Sequence, residues 1–331
     1  MQTESSSDTA SSRLGEHTLK GVILGFASFA CFSYSDASVK AIEGGLPPYE
    51  SAFFGAAFAL LALPFLMQRG DRWSDIVRTS NRPLWLLRFI AYPIGVIGSV
   101  TAFTHLSMAE AFVLIFLQPA YVTVISVFAL KEQVGLKRWS AVIVGFIGVL
   151  IVLRPGFREL SIGHLGAIFA GLGGAISVVT FRASSTDEKR ISLFGAGILG
   201  AIIVCGALML TNFKMPDTSE WMYLAGYGLI AAFANVLLMQ AALYAPAAYI
   251  GPTQYSQMLW AILFGYLFFG DHVDGPMLAG IVLIVGAGML TLMRERQRNT
   301  PLPPPILAGN SQAPIALSDD EMEEAETGHK A

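Results

Sequence analysis

The sequence predicts an all-α integral membrane protein with ten transmembrane helices, arranged as two inverted five-helix repeats. Three observations predict this fold class: the composition, a series of long apolar stretches, and basic residues that favour one side of the membrane. The 331 residues are 54% hydrophobic and only 14% charged. Soluble proteins carry about 25% charged residues, so this chain has too little polar surface to cover a soluble globule.

Ten apolar stretches follow one another along the chain. Each is long enough to cross about 30 Å of hydrocarbon as a helix. The breaks between them contain proline, glycine or charged residues, which are typical of turns. The predicted spans are residues 20–41, 48–67, 83–105, 109–130, 137–153, 161–181, 191–211, 221–244, 248–269 and 275–293.

The basic residues predict that both termini are cytoplasmic. With the N-terminus inside, 15 lysines and arginines fall on the inner side and 4 on the outer side, which is the positive-inside pattern of short loops. Residues 1–19 are Ser-rich, and residues 294–331 become Pro-rich and then acidic, so both are expected to be disordered cytoplasmic tails. The inner residues are Arg13, Lys20, Arg69, Arg72, Arg78, Arg82, Lys131, Lys137, Arg138, Arg182, Lys189, Arg190, Arg294, Arg296 and Arg298, and the outer ones are Lys40, Arg154, Arg158 and Lys214.

The two halves of the apolar region resemble each other at a fixed offset of 139 residues. Amide, aromatic and acidic residues recur at this offset, which favours a duplication over chance similarity between apolar helices. Residues 20–153 and 161–293 are then two repeats of five spans each. Because five is odd, the second repeat is inverted relative to the first, as in secondary transporters. The matched pairs are Gln118 with Gln257, Tyr121 with Trp260, and Glu132 with Asp271.

Several short motifs occur in the first repeat. They are FSYSD at 32–36 followed by Val39 and Lys40, SMAEA at 107–111, QP at 118–119, KEQVG at 131–135, RW at 138–139, GFIGV at 145–149 and RPG at 154–156. From residue 107 onward they resemble the repeat signature of EamA-type carriers of the drug/metabolite transporter superfamily. The segment at 32–36 resembles the first span of relatives described as metabolite or S-adenosylmethionine carriers. The resemblance covers residues 20–293.

The resemblance implies ten helices around a central cavity lined by the first, third, fourth, sixth, eighth and ninth of them. It also implies substrates such as amino acids, nucleosides and vitamins. Two departures affect these expectations. Met258 stands where the first repeat has Pro119, so the ninth helix is expected to lack that kink. Phe53, Phe54 and Gly55 stand in the second helix, where many relatives have an arginine.

Ionisable residues inside the apolar spans are the strongest candidates for function, because each is unfavourable in hydrocarbon. Asp36 is predicted to face the cavity and to couple transport to protons or another cation; the alternative is a local ion pair with Lys40, one turn away. Arg88 either anchors the third helix at the cytoplasmic interface, or it lies inside the bundle, where it pairs with another helix or faces the cavity as a substrate-binding candidate. Glu110 either gates the outer end or stabilises the positive end of the fourth helix.

Polar and aromatic residues within the spans form a second set of substrate-binding candidates. Amide groups in lipid need partners, which are either the substrate or another helix. Proline at the fourth and ninth helices can free backbone carbonyls, which are tolerated where they line a cavity. These candidates are Tyr34, Tyr92, Gln118, Tyr121, Asn235, Gln254, Gln257 and Trp260.

The motifs favour transport over catalysis. The sequence contains no GxSxG, HExxH or P-loop pattern and no close Cys/His group, so no enzyme, metal or cofactor is expected. The net charge of −3 gives no indication of nucleic acid binding. The expected function is a secondary transporter that moves a small metabolite (amino acid, nucleoside, vitamin or S-adenosylmethionine-like compound) across a bacterial plasma membrane by alternating access.

The expected partners are a small-molecule substrate, membrane lipid, and protons or another coupling ion. Two alternatives remain open at this point. One is a membrane-embedded enzyme acting on lipid, which would need carboxylates or histidines clustered at one membrane face. The other is a channel or sensor, which does not need an inverted repeat.

Overall fold

The computed structural model describes residues 2–297, except for residues 63, 65, 66, 68–71, 133, 155–158 and 185–188. All regular elements within these residues are helical, in agreement with the predicted fold class. Short 3₁₀ turns lie at Leu60–Ala62, Trp73–Ile76 and Gly251–Tyr255, and a π turn lies at Ala201–Cys205. The α-helices are α1 (Gln2–Lys40), α2 (Pro48–Ala59), α3 (Arg82–His105), α4 (Met108–Ile115), α5 (Gln118–Ala129), α6 (Leu136–Leu153), α7 (Ile162–Ala183), α8 (Arg190–Gly200), α9 (Gly206–Met209), α10 (Thr218–Tyr244), α11 (Ala247–Ile250), α12 (Ser256–Phe269) and α13 (Gly275–Gln297).

Six helical segments in the described part of the chain are long and apolar enough to cross a membrane. Each overlaps one of the apolar stretches predicted from the sequence, as do two shorter apolar helices at Trp139–Leu153 and Gly275–Met289. The chain is therefore a multi-pass membrane protein. The six segments are Thr18–Lys40, Arg82–His105, Met108–Ala129, Ile162–Ala183, Ile191–Met209 and Thr218–Tyr244.

The first and last helices extend beyond the predicted spans. Residues 1–19 were expected to form a disordered tail, whereas α1 begins at Gln2 and continues to Lys40. Its apolar part begins only at Thr18, so helical hydrogen bonding continues past the apolar stretch into the Ser-rich residues. Helix α13 ends at Gln297, and the rest of the predicted C-terminal tail lies outside the described residues.

Two of the predicted spans are interrupted at equivalent positions in the two repeats. In the first repeat, α4 ends before a turn and α5 begins with Pro119 in its first turn. In the second repeat, the 3₁₀ turn Gly251–Tyr255 contains Pro252 and leads into α12. The expectation that Met258 removes the break is therefore wrong, because Pro252 has no N–H to donate and disturbs the helix several residues earlier.

The packing of the helices follows the pattern expected of two related halves. Helix α3 packs along α7, and α1 packs along α10. The two pairs are equivalent, because each joins the first helix of one repeat to the third helix of the other. The α3–α7 contact is very close: a Cβ on Gly98 would lie 2.6 Å from the carbonyl oxygen of Gly166. Small residues permit such close approach between helices in lipid.

The helix ends that carry the repeated acidic residues have the same backbone form. The N–H of Glu132 donates to the carbonyl six residues earlier at 3.3 Å, and the N–H of Asp271 does the same at 2.9 Å. The preceding residues, Lys131 and Gly270, have left-handed backbones with φ of 54° and 65°. Both helices thus end in a left-handed residue, which is followed by an N–H that bonds back to the last turn of the helix. The 139-residue offset thus relates residues that end their helices in the same way.

Candidate functional site

Asp36 lies inside the bundle, on α1, and faces two helices of the second repeat. Only 1% of its surface is exposed. The hydroxyl of Ser33 donates to the backbone carbonyl of Gln257 on α12 at 3.2 Å, and that of Ser35 donates to the carbonyl of Tyr227 on α10 at 2.6 Å. Successive helical residues are about 100° apart, so the Asp36 side chain leaves α1 between these two directions. It therefore faces the space between α10 and α12.

The carboxylate of Asp36 is surrounded by polar groups that do not satisfy it. The side chain of Gln257 interacts with it, and the phenol of Tyr227 lies within electrostatic range. Among the described residues, neither carboxylate oxygen has a hydrogen bond of acceptable geometry, and the Tyr227 hydroxyl has no partner either. Buried polar groups are nearly always satisfied. We call Asp36, Tyr227 and Gln257 the Asp36 cluster, and it is the leading candidate for a ligand site.

Sequence analysis did not identify Tyr227. A tyrosine in a long apolar span resembles an ordinary core or interfacial residue. The available signal was the segment Phe53-Phe54-Gly55 on α2, which departs from the expected family pattern. A Cβ on Gly55 would lie 2.3 Å from the Tyr227 ring, so a large residue there would displace the tyrosine.

Lys40 does not form the local ion pair with Asp36 that sequence analysis considered. Its ammonium donates to the carbonyl of Leu106 at 2.7 Å and lies 3.6 Å from the carboxylate of Asp271. The same carboxylate accepts the N–H of Met108, at the beginning of α4, at 2.8 Å. The Lys40–Asp271 pair therefore joins the end of α1 in the first repeat to the end of α12 in the second.

An equivalent ion pair joins the repeats at the opposite end of the bundle. Arg182, at the end of α7, lies 3.2 Å from Glu132, which follows α5. Helices α1 and α7 begin their respective repeats and each carries its basic residue in its last turn, and Glu132 matches Asp271, so the two pairs occupy corresponding helix ends. The beginning of α7 lies beside α4, where His164 is 3.3 Å from Glu110. Because α7 has 22 residues, about 33 Å of helix separates its two ends.

Glu110 fits both of the roles considered for it. It lies in the first turn of α4, where its N–H donates to the hydroxyl of Ser107 at 3.2 Å. A carboxylate in this position stabilises the positive end of the helix. Its contact with His164 also crosses between the repeats, close to the Lys40–Asp271 pair.

Arg88 is fully buried, which favours a position inside the bundle over an anchor at the interface. Its exposed fraction is 0%. Its Nε donates to the carbonyl of Leu193 on α8 at 2.6 Å, and the guanidinium lies 4.4 Å from the ring centroid of Phe181 and 5.7 Å from that of Tyr92. Desolvated cation–π contacts contribute about 2 kcal/mol or more. The two terminal nitrogens have no hydrogen-bond partner within the described part of the chain, which keeps Arg88 a candidate for anion binding.

Gln118 and Tyr121 pack against another helix, whereas Asn235 bonds within its own helix. Gln118 packs against Gly174 of α7, where a Cβ would lie 2.6 Å from its amide carbon. Tyr121 packs in the same way against Gly171. Asn235 donates to the carbonyl of Ala231 in its own helix at 2.9 Å. These contacts favour the helix-packing alternative for Gln118 and Tyr121.

The remaining candidates lie on or near α12. Gln254 is buried in the 3₁₀ turn that precedes this helix. Trp260 is half-buried and stacks on Phe264, with ring centroids 5.9 Å apart. Tyr34 is 43% exposed and its ring meets Phe264 edge-on, which places it at the surface of the bundle rather than in the Asp36 cluster.

A cavity of about 50 Å³ lies between α5, α6 and α13, beside Tyr255. It is lined largely by apolar groups, among them Phe116, Pro119 and Ile284. Sites for small molecules usually have volumes of about 300–1,000 Å³. This cavity can hold a few water molecules but not a metabolite.

Comparisons with known proteins identify relatives along nearly the whole chain. The profile of the EamA-like transporter family matches residues 19–154 and 161–293. The pseudopaline exporter CntI of Pseudomonas aeruginosa is 26% identical over 273 residues, which are 81% of this chain and 94% of that protein. A riboflavin transporter of Vibrio cholerae is 28% identical (81% and 91%). An S-adenosylmethionine uptake transporter of Rickettsia prowazekii is 23% identical (84% and 94%).

A crystal structure of a protein with 16% sequence identity has the same fold. Its TM-score is 0.56, over 86% of this chain and 99% of that one. The family match and the named relatives describe transporters, so the protein is a membrane transporter and not an enzyme. On the extent of the family match, which includes both repeats, the chain belongs to the EamA-like transporter family.

Proposed function

We propose that the protein is a secondary transporter with ten transmembrane helices in two inverted repeats, and that it moves a small metabolite across a bacterial plasma membrane by alternating access. A carrier of this kind needs two barriers, one at each end of the substrate path, that do not open together. The observation that carries the proposal is the presence of two equivalent ion pairs between the repeats, Lys40–Asp271 at one end and Arg182–Glu132 at the other.

Each ion pair is placed where it must break if its end of the bundle opens. Separating α1 from α12 separates Lys40 from Asp271, and separating α7 from α5 separates Arg182 from Glu132. With both termini in the cytoplasm, the Lys40–Asp271 pair closes the outer end and the Arg182–Glu132 pair closes the cytoplasmic end. The basic residues of the loops support this orientation.

The two pairs also have similar environments. The side chains are 14% and 17% exposed in the Lys40–Asp271 pair, and 24% and 30% exposed in the Arg182–Glu132 pair. Ion pairs that remain partly in water contribute about 0–1 kcal/mol each. Neither barrier is therefore locked, and the differential binding of a substrate is enough to shift the population between two states.

The substrate belongs to the class of small polar metabolites. The named relatives carry riboflavin, S-adenosylmethionine or pseudopaline, which supports this class without selecting one compound. Asp36 supplies the site for proton or cation coupling, because it lies between the repeats and its carboxylate is unsatisfied. Arg88 and the buried amide residues are further candidates for contact with the substrate.

A counterflow assay tests the proposal. Purified protein is reconstituted in liposomes that contain an unlabelled metabolite, and uptake of the same labelled compound is measured for a panel of amino acids, nucleosides, riboflavin and S-adenosylmethionine, with and without a proton gradient. Alternating access predicts transient accumulation of label above equilibrium for at least one compound. Simple equilibration, as through a channel, or no transport of any compound in either condition, contradicts the proposal.

A further inference from the structure

Besides the amide oxygen of Gln257, the Asp36 cluster contains three buried oxygen atoms that can accept hydrogen bonds and have no partner of good geometry among the described residues. They are the two carboxylate oxygens of Asp36 and the hydroxyl oxygen of Tyr227. Both residues are at most 1% exposed, so bulk water does not reach them in this state. A carboxylate accepts several hydrogen bonds but donates none when ionised. The cluster is therefore rich in acceptors and, when Asp36 is ionised, carries one formal negative charge.

No cation in the described residues neutralises this charge. Lys40, one turn along α1, is bound by Asp271 and by the carbonyl of Leu106. Arg88 is bound to the carbonyl of Leu193 and lies against the Phe181 ring. An isolated carboxylate is unfavourable in an apolar interior. A ligand that brings a positive charge and hydrogen-bond donors would satisfy the cluster.

From these contacts we propose that the Asp36 cluster binds the protonated primary amine of the transported metabolite. This inference rests on the transport function proposed above and specifies its substrate class. An –NH₃⁺ group has three donors and one positive charge, which suit a cluster that is rich in acceptor oxygens and contains one carboxylate. A neutral hydroxyl group would leave the charge uncompensated, and a carboxylate or phosphate would be repelled.

The position of the cluster links binding of the amine to the movement of the repeats. Asp36 belongs to the first repeat, whereas Tyr227 and Gln257 belong to the second. Ser33 and Ser35 fix the direction of the Asp36 side chain through their hydrogen bonds to α12 and α10. An ammonium group held by Asp36 and Tyr227 together therefore contacts both halves, and it binds best when they are closed around it.

The side chains of Tyr227 and Gln257 have different roles. Tyr227 offers its hydroxyl oxygen directly to the amine, and the space for its ring exists because residue 55 is glycine. Gln257 contacts the Asp36 carboxylate from α12 and orients it. Removing the Tyr227 hydroxyl should weaken binding less than removing the charge of Asp36. The hydroxyl contributes a single hydrogen bond, whereas the carboxylate contributes hydrogen bonds and the charge opposite to that of the amine.

A binding experiment with butylammonium ions tests the proposal without knowledge of the full substrate. The detergent-purified full chain is titrated with butylammonium chloride in place of sodium chloride at constant ionic strength, and the unfolding temperature is measured. Tetramethylammonium, which has the charge but no N–H donors, and neutral butanol are the matched probes. We expect a saturable stabilisation by butylammonium that the other two probes do not produce.

Variants assign the binding to the cluster. Asp36→Asn should weaken butylammonium binding at least tenfold, and Tyr227→Phe by about threefold to tenfold. Glu50→Gln is the control, because Glu50 is also a buried carboxylate but lies on α2, where it accepts the N–H of Lys214. It should bind butylammonium as the wild type does. Elution as a single peak and a cooperative unfolding transition establish that each variant is folded.

The proposal is overturned if butylammonium has no effect on the wild type, or if butanol or tetramethylammonium stabilises it equally. Equal binding by the wild type and a folded Asp36→Asn also overturns it. Should Asp36→Asn fail to fold, the Tyr227→Phe variant decides, since unchanged binding there removes the proposed amine contact. Because these measurements involve no transport, they can fail while counterflow still succeeds, which separates failure of the amine site from failure of the carrier.

Discussion

The ammonium of Lys40 lies 3.6 Å from the carboxylate of Asp271, and the same carboxylate oxygen accepts the backbone N–H of Met108. Asp271 thereby holds together the ends of α1, α4 and α12, which come from both repeats. Arg182 and Glu132 repeat the side-chain contact at the opposite end of the bundle. These two ion pairs are the basis of the mechanism proposed above.

A double-mutant cycle should detect the Lys40–Asp271 contact. Lys40→Gln and Asp271→Asn each remove one charge, and we expect a coupling energy of about 0.2–1 kcal/mol between them, because the pair is partly exposed. The free energy of unfolding is measured for both single variants and the double variant in detergent. The matched cycle combines Lys40→Gln with Glu132→Gln, at the other end, and should be additive. Additivity in both cycles would mean that the Lys40–Asp271 contact contributes nothing.

The topology is tested by reporter fusions. Fusions after Arg78 and Lys189 should report the cytoplasm, and fusions after Glu159 and Lys214 should report the outside. The reason is the excess of basic residues in the loops assigned to the inner side. Activity of phosphatase and fluorescent-protein fusions in intact cells gives the side directly. If two of these four positions lie on the unexpected side, the map of spans is incorrect.

Much of the architecture could be predicted from the sequence. The apolar stretches predicted where helices lie, because hydropathy and length decide which segments can cross a bilayer. Glu132 and Asp271 match at the 139-residue offset, and both follow a left-handed residue and close their helix ends with the same backbone hydrogen bond. Met258 led to the expectation of an unkinked ninth helix, whereas the break before α12 comes from Pro252, six residues earlier, which has no N–H to donate.

The site could be predicted only in part, because its contacts cross between distant segments. Asp36 was identified from its unfavourable position in an apolar span. The partner of Lys40 was not identified, since Asp36 one turn away was an equally good candidate and Asp271 is more than two hundred residues along the chain. Tyr227 was missed for the same reason: its role depends on α1 and α2 packing against α10. A single sequence does not reveal which of its distant segments contact each other.

The space around two glycines predicts different effects of the same substitution: Gly98 lies in the close contact of α3 with α7, and Gly145 faces open space. Gly98→Ala would place a Cβ 2.6 Å from a backbone oxygen of Gly166, so the helices must move apart. We expect a loss of about 1–3 kcal/mol in stability, as for other overpacked sites. Gly145→Ala, in α6, meets nothing within 4 Å and should be neutral or stabilising by up to about 1 kcal/mol. Unfolding in a denaturing detergent measures both, and equal stability of the two variants would contradict this packing.

The Asp75–Lys189 contact predicts a pH dependence of stability. The ammonium of Lys189 donates to the Asp75 carboxylate at 2.6 Å and holds its pKa below the ordinary value. Because the folded pKa lies below the unfolded value of about 3.9, this stabilisation is complete above that pH and is lost as the pH falls through the folded pKa. Lys189→Gln should therefore lower the unfolding temperature at neutral pH and have progressively less effect in acid.

Lys131→Gln is the control for this experiment, because it removes one positive charge elsewhere on the same end of the bundle. It should not show the same pH dependence. An effect of Lys189→Gln that stays constant from neutral pH into acid would show that the Asp75 carboxylate is not the partner that matters.

The most direct test of alternating access is the labelling of one interior position from each side of the membrane. Ser33→Cys, in a chain with Cys31 and Cys205 changed to alanine, places a reporter beside the Asp36 cluster. In oriented vesicles, Asp271→Asn should increase its labelling by an impermeant maleimide from the outer side. Glu132→Gln should increase labelling from the cytoplasmic side, and each variant should decrease labelling from the other side. Increased labelling from the same side in both variants, or from both sides at once, would contradict the carrier mechanism.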